Sequence, residues 1–129
     1  MTSSGLGCRS YAGILTYSCT KTFASFLAQG LSYELKGKVD CLDWECGETK
    51  TKMLGSRKGW TVIDTDVAVR GSLRDLGSAN VTNGNYRHEV GMFFFSLVSL
   101  NWVNPFFNRI MEKELLKQIE IGRAEKKED

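Results

Sequence analysis

One histidine, one proline and four scattered cysteines are all that this 129-residue chain holds of three residue types that mark catalytic centres, rigid linkers and metal sites. The single histidine narrows catalysis first. A general base of the serine or cysteine hydrolase kind would have to be His88, with a nucleophile such as Cys41 brought to it, and nothing in the spacing favours that pairing. His88 reads instead as a surface residue on the wet face of a hairpin. The single proline excludes a proline-rich linker, and thirteen glycines fit sheet and tight turns. Phosphate cradles are absent too: neither G-x-G-x-x-G nor G-x-x-x-x-G-K-[ST] occurs.

The cysteines are Cys8, Cys19, Cys41 and Cys46. Ten residues separate the first two and four separate the last two, so neither pair is the C-x2-C knuckle of a zinc site. No metal and no cofactor is expected. Four cysteines are also too sparse for a small disulfide scaffold, and the start of the chain has no basic n-region of a secretory signal. Free thiols in a reducing, intracellular compartment are the expectation. A net charge of +2 is too weak to suggest a nucleic-acid protein without a local patch. Lys50, Lys52, Arg57 and Lys58 beside Trp60 are such a patch, but they read better as a solubilising hairpin tip facing Asp43 and Glu45. Asp64 and Asp66 share a strand face and read as solvated carboxylates balanced by Arg70 or Arg74.

What the chain does have is apolar. Between Glu89 and Arg109 lie nineteen uncharged residues, 90–108, including Met92, Phe93, Phe94, Phe95, Leu97, Trp102 and Phe107. The run approaches the 20 or so residues a transmembrane helix needs, but Ser96, Ser99, Asn101, Asn104 and Pro105 interrupt it. Upstream, Tyr11 to Tyr17 suggests a first strand, and Phe23, Phe26, Leu27 and Leu31 recur at helical spacing, predicting a short helix near 20–29. From Tyr33 the period is two, with a change of phase at Cys41–Leu42 that asks for a bulge. Further strands are predicted over 60–70, 72–82 and 85–100, with Asn83-Gly84 as a hairpin turn. Asn104 as N-cap and Pro105 at the first helical position open a final helix whose Phe107, Met111, Leu115 and Ile119 form an i, i+4 row, with Gly122 as its stop.

These elements predict an α+β domain over 9–122: an antiparallel meander of about five strands packed on a long C-terminal amphipathic helix, with a short N-terminal helix. Residues 1–8 are a flexible end and 123–129 a charged tail. In its element order, and in the Asn104-Pro105 start of its last helix, the chain is similar to helix-grip proteins, the START and Bet v 1-like group. That resemblance implies an apolar cavity under the last helix. With no catalytic constellation, the expected function is a non-catalytic interaction protein, a structural component of a larger assembly with a protein partner or a second copy of itself. Its contact residues would be Trp102, Phe106, Phe107, Phe94 and Met111, with Trp44 and Trp60 as further candidates. The alternative is a carrier of a lipid or other apolar ligand between the 92–100 strand and the last helix. A membrane surface is a further candidate partner; nucleic acid is not expected.

Overall fold

The computed structural model describes the chain except residues 53 and 129, and in the last helix it describes side chains only up to Leu116 and at Ile119. Among the described residues are four α-helices, 55% of the chain: α1 (Leu15–Glu34), α2 (Thr65–Asp75), α3 (Tyr86–Leu97) and α4 (Leu100–Glu128). The described residues contain two strands, β1 (Asp43–Trp44) and β2 (Val81–Thr82). These pair in parallel, Asp43 opposite Val81 and Trp44 opposite Thr82. The antiparallel meander predicted from the sequence is therefore wrong, and so is the element order that resembled the helix-grip group.

The parallel arrangement follows from the connections. Parallel neighbours cannot be joined by a tight turn, so a crossover must carry the chain back, and α2 is the crossover between β1 and β2. A second crossover, α1, brings the chain from its start to β1. Thr2 makes a parallel bridge with Trp44, whose N–H donates to Met1 O while Ser3 N–H donates to Trp44 O, each at 2.9 Å. The expected loose end is thus a third line of backbone beside β1. Asp43 N–H donates to Asn80 O and Glu45 N–H to Thr82 O, both at 2.9 Å, so β1 is hydrogen-bonded on both edges.

Local chemistry explains several departures from the sequence reading. Asn83-Gly84 does turn the chain, with Gly84 at φ +70°, but it leads into a helix rather than a returning strand. The Asn85 side chain caps α3 by accepting from Arg87 N–H at 2.9 Å, which gives the 85–100 segment a helix start that its period-two opening concealed. Residues 60–70, predicted as a strand, contain the start of α2, with Asp64 at its N-cap and Asp66 in its first turn, where an acid is favoured by the helix dipole. The predicted 72–82 strand is the end of α2, a turn and β2. The helix predicted over 20–29 is twenty residues long and begins at Leu15, absorbing half of the supposed first strand. α4 starts at Leu100, five residues before Pro105, which sits inside the helix. Asn104 does not cap it; its side-chain oxygen accepts Ala12 N–H at 3.1 Å. Nor does Gly122 stop it, since the helix runs to Glu128.

The core is small. Tyr11, Ala28, Leu42, Val62, Ile63, Ala68 and Val103 are its buried apolar members among the described residues. Tyr11 lies between Phe95 of α3 and Phe107 of α4, with ring centroids 5.7 and 5.2 Å away, and this stack joins the N-terminal loop to the last two helices. Burial, with Cys8 beside it, pushes the Tyr11 phenol up to about 12.

Candidate interaction surface

The helices bury their small and polar residues and present their large apolar ones to solvent. α1 turns Ser18 and Ala28 fully inward, with Thr22, Ser25, Gln29 and Ser32 half-buried on the same side. Asp43 of β1, 0% exposed, organises this inner face. Its Oδ1 accepts from the Ser3 hydroxyl, and its Oδ2 accepts from the Ser25 hydroxyl at 2.6 Å and the Gln29 amide at 3.2 Å. Thr22 donates to Ser18 O at 2.8 Å. A buried carboxylate needs donors around it, and the polar residues of α1 supply them.

The outer face of α1 is the converse. Phe23, Phe26 and Tyr33 are 69%, 71% and 72% exposed, with Leu27 beside them. Their spacing puts them on one stripe, and no charged residue occurs from Thr22 to Tyr33. α2 repeats the pattern, burying Ala68, Gly71 and Ser72 while exposing Val67, Val69 and Leu73. α3 buries His88 and exposes Val90, Phe93, Phe94 and Leu97, an i, i+3, i+4, i+7 set.

The expected contact residues divide between two environments. Phe94, Trp102 and Phe106 stand in solvent, Trp102 being 80% exposed. Phe107 and Met111 are half-buried: Phe107 stacks on Tyr11, and Met111 Cβ lies 2.7 Å from where a side chain on Gly13 (φ +81°) would begin. Those two hold α4 on the N-terminal loop. Trp44 is half-buried in β1, and Trp60 is exposed with its ring edge-on to Tyr86 at 6.3 Å. The spacing of the α1 stripe is legible in the sequence as a helix, but not that the stripe stands in solvent.

His88 is 3% exposed, not a surface residue. Its Nε2 lies 3.0 Å from Thr61 O and 3.2 Å from Glu48 O. Carbonyls only accept, so Nε2 carries a proton and donates to them. Nδ1 lies 3.4 Å from Asn83 O, and a side chain on Gly47 would meet the ring at 2.6 Å. The imidazole thus fastens the loops at 47–49, 59–61 and 83–85, with no nucleophile among its hydrogen-bond partners. Asp64 pairs with Lys50 at 2.8 Å rather than with Arg70 or Arg74, and both partners are exposed. Arg57 pairs with Glu48 at 3.1 Å. The Glu48 carboxyl is held below its usual range by the Thr61 hydroxyl first, then by Arg57. No group of three or more potential ligands for a metal ion occurs among the described residues.

Glu45 is displaced the other way: burial, then the nearby Asp43 carboxylate, raises its pKa above the usual 4.5. A raised pKa means that the folded state binds the proton more tightly than the unfolded one. The stability linked to that proton is present in full below 4.5 and is lost as the pH rises through the folded value. Glu45→Gln removes the ionising group. It is expected to raise the melting temperature by a few degrees near neutral pH and to change it little well below 4.5, as read by thermal melts at the two pH values.

The 92–100 segment expected as a strand is instead the end of α3, the bend at 98–99 and the first residue of α4, so it supplies no sheet wall opposite the last helix. A cleft of 380 Å³ lies elsewhere, between α1 and α2, lined by Leu31, Leu42, Trp44, Leu73 and Leu76 among others. Among the described residues no single helix is long and apolar enough to cross a membrane; α3 with α4 to Leu116 passes the same test only as a pair, bent by 112°. Compared with protein-family profiles, with curated proteins and with solved structures, the chain matches none.

Proposed function

We propose that the chain is a non-catalytic interaction protein, a structural subunit of an assembly containing a second copy, and that the outer stripe of α1 is its contact face. The inverted polarity of α1 supports this reading: polar residues pack inward on Asp43, and Phe23, Phe26, Leu27 and Tyr33 are left in water. Among the described residues, twenty-six large apolar side chains are exposed against seven buried apolar ones. A lone exposed apolar residue is ordinary, but a contiguous stripe of aromatics without a charge is the composition of an interface core.

A buried interface aromatic of hot-spot quality contributes about 2 kcal/mol, or about 30-fold in affinity. Sedimentation velocity across a concentration series is the test. The wild type is expected to associate, and Phe23→Asp with Phe26→Asp to weaken association at least about 30-fold while leaving the helical circular dichroism unchanged. A wild type that stays monomeric over the whole series would overturn the proposal.

A further inference from the structure

The uncharged run 90–108 forms an elbow, and the elbow is built to leave water. α3 ends at Leu97 and α4 begins at Leu100, with 112° between them. Phe93, Phe94 and Leu97 are exposed before the bend and Trp102 and Phe106 after it. A helix end normally carries carbonyls that need water, and these are costly to place in an apolar medium. Here Arg9 supplies them with donors: its guanidinium lies 3.4 Å from Phe95 O, 3.3 Å from Ser96 O and 2.9 Å from Val98 O. The Ser96 hydroxyl returns to Phe93 O at 2.7 Å. Four carbonyls at the bend, those of Phe93, Phe95, Ser96 and Val98, are thus served by side chains of the protein itself.

Charge distinguishes the occupants. On α4, Trp102, Phe106, Arg109 and Lys113 follow an i, i+4, i+7, i+11 line and therefore share one face. Glu112 and Glu114 fall to either side of that line. The exposed side chains along it are two aromatics at the elbow, then two cations one to two turns further on, and then Leu116. That order matches a lipid surface, with rings at the boundary of the acyl chains and cations at the level of the phosphates. We propose that the α3–α4 elbow is a membrane-surface anchor that inserts Trp102 and Phe106 and engages anionic headgroups through Arg109 and Lys113. The bend puts the elbow in first, and α4 rises from it without spanning, so that its cations reach the level of the phosphates. This goes beyond the assembly reading and uses a different face from the α1 stripe.

The test is cosedimentation of the full chain with large vesicles of phosphatidylcholine alone and of phosphatidylcholine mixed with phosphatidylserine. The wild type is expected to bind the mixed vesicles more tightly than the neutral ones, by about fivefold for each cation engaged. Trp102→Asp with Phe106→Asp should lower binding to both kinds at least about tenfold, because the buried ring area is lost. Trp102→Phe, which keeps an inserting ring, should retain most of it. Arg109→Gln with Lys113→Gln should bring binding of mixed vesicles down to the neutral level and leave neutral binding unchanged. The α1 pair Phe23→Asp with Phe26→Asp should leave all of these unaltered, so failure of the anchor and failure of the assembly face are separable. No binding to either vesicle, or equal binding by the Trp102→Asp, Phe106→Asp variant, would overturn the proposal.

Discussion

Gly71→Ala is expected to destabilise the protein by at least about 3 kcal/mol, although alanine is the better helix former by about 1 kcal/mol. Gly71 lies mid-way along α2, where its Cα faces the turn after β2. A methyl group there would sit 1.6 Å from Gly84 O and 2.7 Å from Gly84 C. The obstacle is backbone on both sides, and Gly84 is itself held at φ +70° with its N–H donated to the Thr82 hydroxyl at 3.0 Å. No flexible side chain can yield, so the helix must lift from the turn and expose Ala68 and Ser72. Gly30→Ala is the internal control. Gly30 is also helical, in α1, but its added methyl meets nothing within 4 Å. That change should stabilise by up to about 1 kcal/mol. Denaturant melts of the two variants should therefore move in opposite directions. A Gly71→Ala protein as stable as wild type would show that α2 does not approach the turn this closely.

Removal of the Asp43 carboxylate carries the second large effect. Asp43→Ala leaves the buried Ser3 hydroxyl without its acceptor and takes one from the half-buried Ser25 hydroxyl and Gln29 amide, the amide still donating to Ser25 Oγ at 2.9 Å. A buried donor without a partner costs about 1–3 kcal/mol and the half-buried ones cost less, together a sizeable part of a small domain's stability. Asp43→Asn should cost far less. Its oxygen can take the Oδ2 place and still accept from Ser25 and Gln29, while the Ser3 hydroxyl rotates to accept from the new amide. Urea titrations should rank the proteins wild type, Asp43→Asn, Asp43→Ala in falling stability. Equal losses for the asparagine and alanine variants would mean that β1 needs the negative charge rather than the acceptor geometry.

Both effects turn on residues that pattern reading passes over. A glycine in a period-two stretch and an aspartate beside Leu42 and Trp44 look like surface or turn residues. Each instead marks a place where backbone or polar groups meet inside. The same inversion explains the failed sheet. Assigning faces from sequence assumes that apolar residues point inward, and α1, α2 and α3 do the opposite. Ile63, Val67 and Val69 alternate as a strand would, yet Val67 and Val69 lie on the outer surface of a helix. Parallel strands of two residues each are too short to leave a period of their own.

The sequence by itself determined the helical character of α1, through the spacing of Phe23, Phe26 and Leu27, and of the last helix, through the Phe107–Met111 row. It also determined that 90–108 is an uncharged apolar unit and that Asn83-Gly84 turns the chain. Tertiary structure decided which way each apolar stripe faces, because that depends on partners distant in sequence: Asp43 for α1, Gly84 for α2 and Tyr11 for the α3–α4 elbow. It likewise decided that His88 is an internal fastener, since three loops must converge before their carbonyls can surround one ring. Local periodicity records that a face is apolar; only the assembled chain settles whether that face is covered.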